Sequence, residues 1–171
     1  MDINSANLVI NKALKQASGI LGIEFVEYTI LDGNKFQNEN IKSFFERYYY
    51  LIKFNKNWLI EANEKEIIVE TYKQVRHAYQ QFQIEFRDKL LEIEAVVEEE
   101  DTIKCWEEEL SYYTEEDDVE DEDFIQQSTQ IDSFAFAKLM LKKANCMELD
   151  IPNVIKENVE KRIIEISNNN L

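Results

Sequence analysis

Glycine and proline are scarce in this chain, three and one in 171 residues. Residues that force tight turns and break helices are therefore few, and a helix-rich fold is predicted. Cys105 and Cys146 are the two cysteines, too few for a disulfide framework. Asp2, Lys12 and Lys15 interrupt any apolar run near the start, so no secretory signal is read there. A reducing, cytoplasmic setting is the expectation. No apolar stretch approaches the roughly 20 residues that span a bilayer, so no membrane partner is expected. Basic residues number 19 against 35 acidic ones, a net charge of −16. Such a balance disfavours direct nucleic-acid binding, in which Lys and Arg must displace counterions from phosphates. Histidine occurs once, as His77.

Core-forming material is plentiful. Hydrophobic residues make up 44% of the chain and aromatic residues 12%, enough to bury a core in a single domain spanning 1–171. From Glu66 to Phe82, Ile68, Tyr72, Val75, Tyr79 and Phe82 recur at spacings of four, three, four and three. That period places one apolar stripe on a central helix. His77 falls on the opposite side, near Glu66, Glu70 and Lys73, with Gln74 on one flank.

Around this helix the expected order begins with a helix over 5–21, with Ser5 as N-cap and Gly22 as stop. A strand over 23–30 comes next, closed by the Asp32-Gly33-Asn34 turn. The stretch 35–47 patterns weakly, with a short helical turn near 41–45. A second strand is expected over 48–55, where Tyr48, Tyr49 and Tyr50 read as strand core and edge, and a helical turn at 58–60 leads into the central helix. Further helices are expected near 103–113, over 128–145, and from about Pro152 to Ile166. The fold class is α+β, helix-rich.

Between Glu92 and Asp123, 17 of 32 residues are acidic and Lys104 alone is basic. Such runs are normally solvated, and 114–123 reads as an acidic loop or insertion. An EF-hand would need a glycine and spaced Asx ligands that this run lacks.

The helix Glu66 to Gln80, EIIVETYKQVRHAYQ, resembles the active-site helix of small HExxH zinc metallopeptidases of the ImmA/IrrE group, which often continues as HAYQ. Tyr48 to Leu59 is similar to that family's preceding strand and turn, and Gln127 to Leu141 resembles its third-ligand helix. The resemblance covers roughly 48–141 and implies a zincin-like domain with a small sheet packed against the central helix. HExxH helices grip zinc through two histidines at i and i+4 and use the glutamate as general base. Here the frame reads Lys73-Gln74-Val75-Arg76-His77. A protonated lysine cannot ligate zinc, and the amide of Gln74 cannot accept a proton at neutral pH. Gln130 or Asp132 stands where the third-ligand glutamate would fall. The positions Lys73, Gln74, His77, Gln130 and Asp132 therefore read as relics, with no catalytic residue, metal or cofactor expected. The Lys73 ammonium would occupy the metal's place and pair with Asp132 or Glu70, joining two helices.

What the resemblance implies is a catalytically inactive pseudoenzyme that binds a protein partner or regulates one, in a family whose active members cleave repressors or accompany phage and mobile elements. A second reading takes the acidic block as a mimic of nucleic acid that occupies a basic cleft. A third places a divalent metal between Glu70, His77 and Asp132, in an atypical metallopeptidase.

Overall fold

The computed structural model describes residues 1–93, 95, 97–112, 122–144 and 148–168. Most of the predicted acidic loop, Cys146 and the last three residues lie outside them. Helix α1 (Ile3–Leu21) opens the chain and buries Ala6, Ile10, Ala13, Leu14, Ala17 and Leu21. Its N-cap is Asp2 rather than Ser5. The Asp2 carboxylate accepts from both the Ser5 amide, at 3.0 Å, and the Ser5 hydroxyl, at 2.7 Å. Gly22 ends the helix in the left-handed region, φ 68°, where a side chain would be strained.

Three short strands come after it: β1 (Glu27–Leu31), β2 (Ser43–Glu46) and β3 (Leu51–Asn55). They form one mixed sheet in the order β1-β3-β2, with β3 parallel to β1 and antiparallel to β2. Strand β2 lies where a helical turn was expected. Ser43-Phe44-Phe45-Glu46 carries too short a pattern to declare itself, and pairing with Phe54 through Leu51 makes it a strand. The tyrosine cluster also departs from expectation. Arg47–Tyr49 form a 3-10 turn, Tyr50 is left-handed at φ 48°, and Tyr48 and Tyr49 are exposed.

Asn55 fastens the sheet to the next helix. Its side-chain oxygen caps α2 (Lys56–Glu61) through the Asn57 amide, and its Nδ2 donates to the carbonyls of Glu39 and Ile41, just before β2. The long helix α3 (Glu64–Glu92) begins at a capping box. Asn63 accepts from the Glu66 amide while Glu66 accepts from the Asn63 amide. It is buried on more than the predicted stripe: beside Tyr72, Val75 and Tyr79, the polar residues Thr71, Gln74, Arg76, Gln80 and Gln83 are withdrawn from solvent.

Helix α3 owes this to neighbours on several sides. It packs against α1 and against α6 (Ser128–Lys143), and also touches β2 and α4 (Glu100–Tyr112). The short α5 (Glu122–Ile125) leads into α6, which in turn packs on α7 (Lys156–Asn168). Trp106, fully buried, anchors α4 in the core. The architecture is helix-rich α+β with a small mixed sheet, the class read from the sequence. No helix among the described residues is long and apolar enough to cross a membrane.

Candidate functional site

One face of α3, the edge strand β2 and the start of α6 enclose a cavity of about 280 Å³. Helix α3 contributes Glu70, Lys73, Gln74, His77 and Gln81, and Thr129 and Gln130 come from α6. Every residue from Lys42 to Tyr48 lines it, and Leu110 and Phe124 complete the wall. Four of the five residues singled out in the sequence, Lys73, Gln74, His77 and Gln130, thus meet at one place. Positions 70, 73, 74 and 77 share a helix face by spacing alone. Gln130 joins them only because α6 packs on α3.

Asp132 is placed elsewhere. Its carboxylate is buried and accepts from Arg76 Nε at 2.7 Å, Arg162 Nε at 2.7 Å and Gln80 Nε2 at 2.7 Å. Glu98 bridges the same two arginines, at 2.7 Å from Arg76 and 2.9 Å from Arg162. Two guanidinium groups and two carboxylates so form a closed ionic box that ties α3, α6, α7 and the segment before α4. Burial alone would raise the Asp132 carboxyl, yet the two arginines bring it down to about 2. Of the two candidates for the third-ligand position, Gln130 faces the cavity and Asp132 does not. Arg76 and Arg162 were not signalled by the sequence, since each reads as an ordinary helix charge until its carboxylate partners are brought in from distant segments.

Of the two partners expected for Lys73, Glu70 is met and Asp132 is not. With Asp132 taken by the arginines, the ammonium lies 4.0 Å from Glu70 and 4.2 Å from the centre of the Phe134 ring. Glu70 is on the same helix, so the pair joins no two elements. Arg76 and Asp132 instead tie α3 to α6. Glu70 is half-buried, and its partial withdrawal from water would raise its carboxyl. The Lys73 ammonium and hydrogen bonds from Ser43, at 2.6 Å, and Gln74, at 3.1 Å, more than offset this and keep it lowered.

The tautomer of His77 is set by its neighbours. Both amide protons of Gln80 are committed, one to the Thr129 carbonyl at 3.0 Å and one to Asp132. The Gln80 carbonyl oxygen must then accept, and His77 donates to it from Nδ1 at 2.9 Å. Nε2 is left as a bare acceptor at the cavity, with no partner among the described residues. Burial, with Lys73 adding to it, pushes the His77 pKa down to about 4, so the ring is neutral at pH 7.

Stability should therefore depend on pH. The unfolded chain binds a proton at His77 near pH 6.5 and the folded chain near 4, so between these values the unfolded state holds more protons and stability falls on acidification. From pH 7 to 5 this should cost about 1–2 kcal/mol in urea titrations. His77→Gln should remove that slope, and an unchanged slope in the variant would refute the assignment.

A metal between Glu70, His77 and Asp132 does not fit this arrangement. Among the described residues no three His, Cys, Asp or Glu side chains converge as a metal site. The acidic block is partly used inside the fold. Besides Glu98, the Glu109 carboxylate caps α6 by accepting from the Ser128 and Thr129 amides at 2.7 and 2.8 Å, and Glu100 pairs with Arg87 and Lys104. Comparison with protein-family models, with curated proteins and with solved structures gave no match to this chain.

Proposed function

We propose that this chain is a protein-binding module on a zincin-like scaffold, without peptidase activity, that takes an extended segment of its partner along β2 and over the cavity. The observation that carries this reading is the state of the β2 backbone. Asn55 N–H donates to the Lys42 carbonyl at 2.9 Å, which makes 42 and 55 a hydrogen-bonded pair and fixes the alternation along the ladder. Phe44 and Glu46 then direct their backbone groups to β3, while Ser43 and Phe45 direct theirs away from the sheet. Neither Ser43 nor Phe45 has a backbone partner there among the described residues. An edge of this kind is the usual template for strand addition, with adjacent pockets reading alternate side chains.

Support for the kinship with inactive metallopeptidases is geometric. The sheet lies beside α3, and α6 brings Gln130 to the face that carries Lys73, Gln74 and His77. The loss of peptidase chemistry rests on residue identity, an ammonium and an amide at positions 73 and 74. Mimicry of nucleic acid by the acidic block draws less support, because Glu98, Glu100 and Glu109 are committed within the fold.

Selection of extended peptides from a random display library tests the reading. Bound peptides should slow hydrogen exchange at the Ser43 and Phe45 amides, which exchange faster than those of Phe44 and Glu46 in the unbound protein. Phe45→Pro removes one outward N–H and should weaken binding at least tenfold. Proline is tolerated at sheet edges, and exchange on the unaltered protein provides the same answer if the variant is unstable. Peptides that leave both amides unprotected, or a library that yields none, would end the proposal.

A further inference from the structure

Within a chain of net charge −16, the cavity wall carries a surplus of positive charge. Lys42, Arg47 and Lys73 line it together with Glu46 and Glu70. Glu46 is already paired with Lys53, which lies outside the lining, so Glu70 is the one carboxylate set against the three cations. The Lys73 side chain is 14% exposed, and its ammonium lies beyond hydrogen-bond distance of Glu70. Among the described residues no acceptor receives any of its three N–H groups. Phe134 stabilises the charge from the ring face without using a proton.

The ammonium thus meets the cavity with free donors, which an anion entering the cavity can engage. The Gln130 amide, in a buried residue of the same wall, also has no side-chain partner among the described residues. Glu70 does not repel a second anion at full strength. One of its oxygens accepts from Ser43 and Gln74, and the charges of Lys73 and Lys42 oppose its own.

We propose that the cavity is a carboxylate-binding site, in which the Lys73 ammonium and the Gln130 amide receive the side-chain carboxylate of an Asp or Glu carried by the partner segment. This rests on the strand-addition reading for the source of the carboxylate, but the site itself does not require it. Lys73 forms a charge-assisted hydrogen bond to the incoming carboxylate. The bare Nε2 of neutral His77 accepts an N–H or O–H from the same ligand. A glutamine at the same position of the segment would forgo the ionic contact and bind more weakly.

The test uses N-acetyl-glutamate N-methylamide, with the glutamine analogue and glutarate as comparators, titrated into the isotope-labelled chain. The side-chain amide signals of Gln74, Gln81 and Gln130 are followed by NMR. The expected result is a saturable shift of these signals with the glutamate compound, at least tenfold weaker with the glutamine analogue and in Lys73→Gln. Lys73→Arg keeps the charge and should retain most of the binding. Glutarate binding as tightly as the glutamate compound would assign the carboxylate to a free acid rather than to a chain segment, and so overturn the stated source. Equal shifts with the glutamine analogue, indifference to Lys73→Gln, or no saturable shift would overturn the site. Amide exchange on the unaltered chain separates the two proposals, since strand addition is read at the Ser43 and Phe45 amides and carboxylate binding at Lys73 and Gln130. Loss of carboxylate binding with Phe45-dependent peptide binding intact would remove this inference alone.

Discussion

Replacing Asp132 by alanine is expected to destabilise the folded chain by about 3–5 kcal/mol, the usual cost of removing one partner from a buried ionic group. With urea slopes of about 1–3 kcal/mol per molar, the unfolding midpoint should fall by at least 1 M. The cause is the charge left behind. Arg76 is fully buried and Arg162 nearly so, and without Asp132 each loses a hydrogen-bonded anion that water cannot reach in to replace. The His77 hydrogen bond would loosen in the same variant, because Asp132 holds Gln80 in orientation. Substituting the whole box, with Arg76→Met, Glu98→Leu, Asp132→Leu and Arg162→Met together, should restore stability to within about 2 kcal/mol of the parent. A midpoint unchanged in Asp132→Ala would mean that the box contributes nothing. Acid should expose the same dependence. Asp132 titrates near 2 when folded and near 3.8 when unfolded, so its contribution is complete above pH 3.8 and disappears as the pH falls towards 2.

A triple variant, Lys73→His with Gln74→Glu and Gln130→Glu, is expected to bind one zinc ion at least a thousandfold more tightly than the parent. Positions 73 and 77 lie one helical turn apart on the same face, the spacing by which two imidazoles grip a tetrahedral ion, and Gln130 stands across the cavity from them. Gln130 is the position to change. Asp132 is held in the ionic box, and drawing it out would break the contacts just described. Metal content after gel filtration and calorimetric titration provide the measurement, and thermal stability should rise with zinc concentration, by about 4 kcal/mol at a thousandfold excess over Kd. If the triple variant holds no more zinc than the parent, residues 73, 77 and 130 do not share a metal-sized site and the kinship with HExxH helices fails. The parent should not show the effect, since a protonated Lys73 contributes charge where a ligand would need a lone pair.

The central helix, its two helical flanks and the last helix could be read from apolar periodicity, because each buries a stripe that the sequence marks at 3.6-residue spacing. Gly22 announced the end of α1 for the same local reason, the need for a positive φ. The capping box at Asn63 and Glu66 is equally local but was not read, and it starts α3 at Glu64, four residues before Ile68 opens the apolar stripe. Strand β2 was not legible. Four residues with two adjacent phenylalanines specify no period, and what made them a strand was the ladder offered by β3. Nor was the tyrosine turn, where three β-forming side chains in a row concealed a 3-10 turn and a left-handed residue.

Within the candidate site, the sequence by itself determined which chemical groups stand at positions 73, 74 and 77 and that they share one helical face, since spacing along a helix is fixed by its geometry. It also determined what those groups cannot do, because an ammonium and an amide lack the lone pair and the basicity that the HExxH frame requires. Tertiary structure alone decided that Gln130 faces the cavity while Asp132 belongs to the arginines, and that His77 is neutral with Nε2 bare. Those outcomes depend on which distant segments meet α3: an ion pair across 56 residues of chain between Arg76 and Asp132, or a hydrogen bond relayed through Gln80, has no periodicity to betray it.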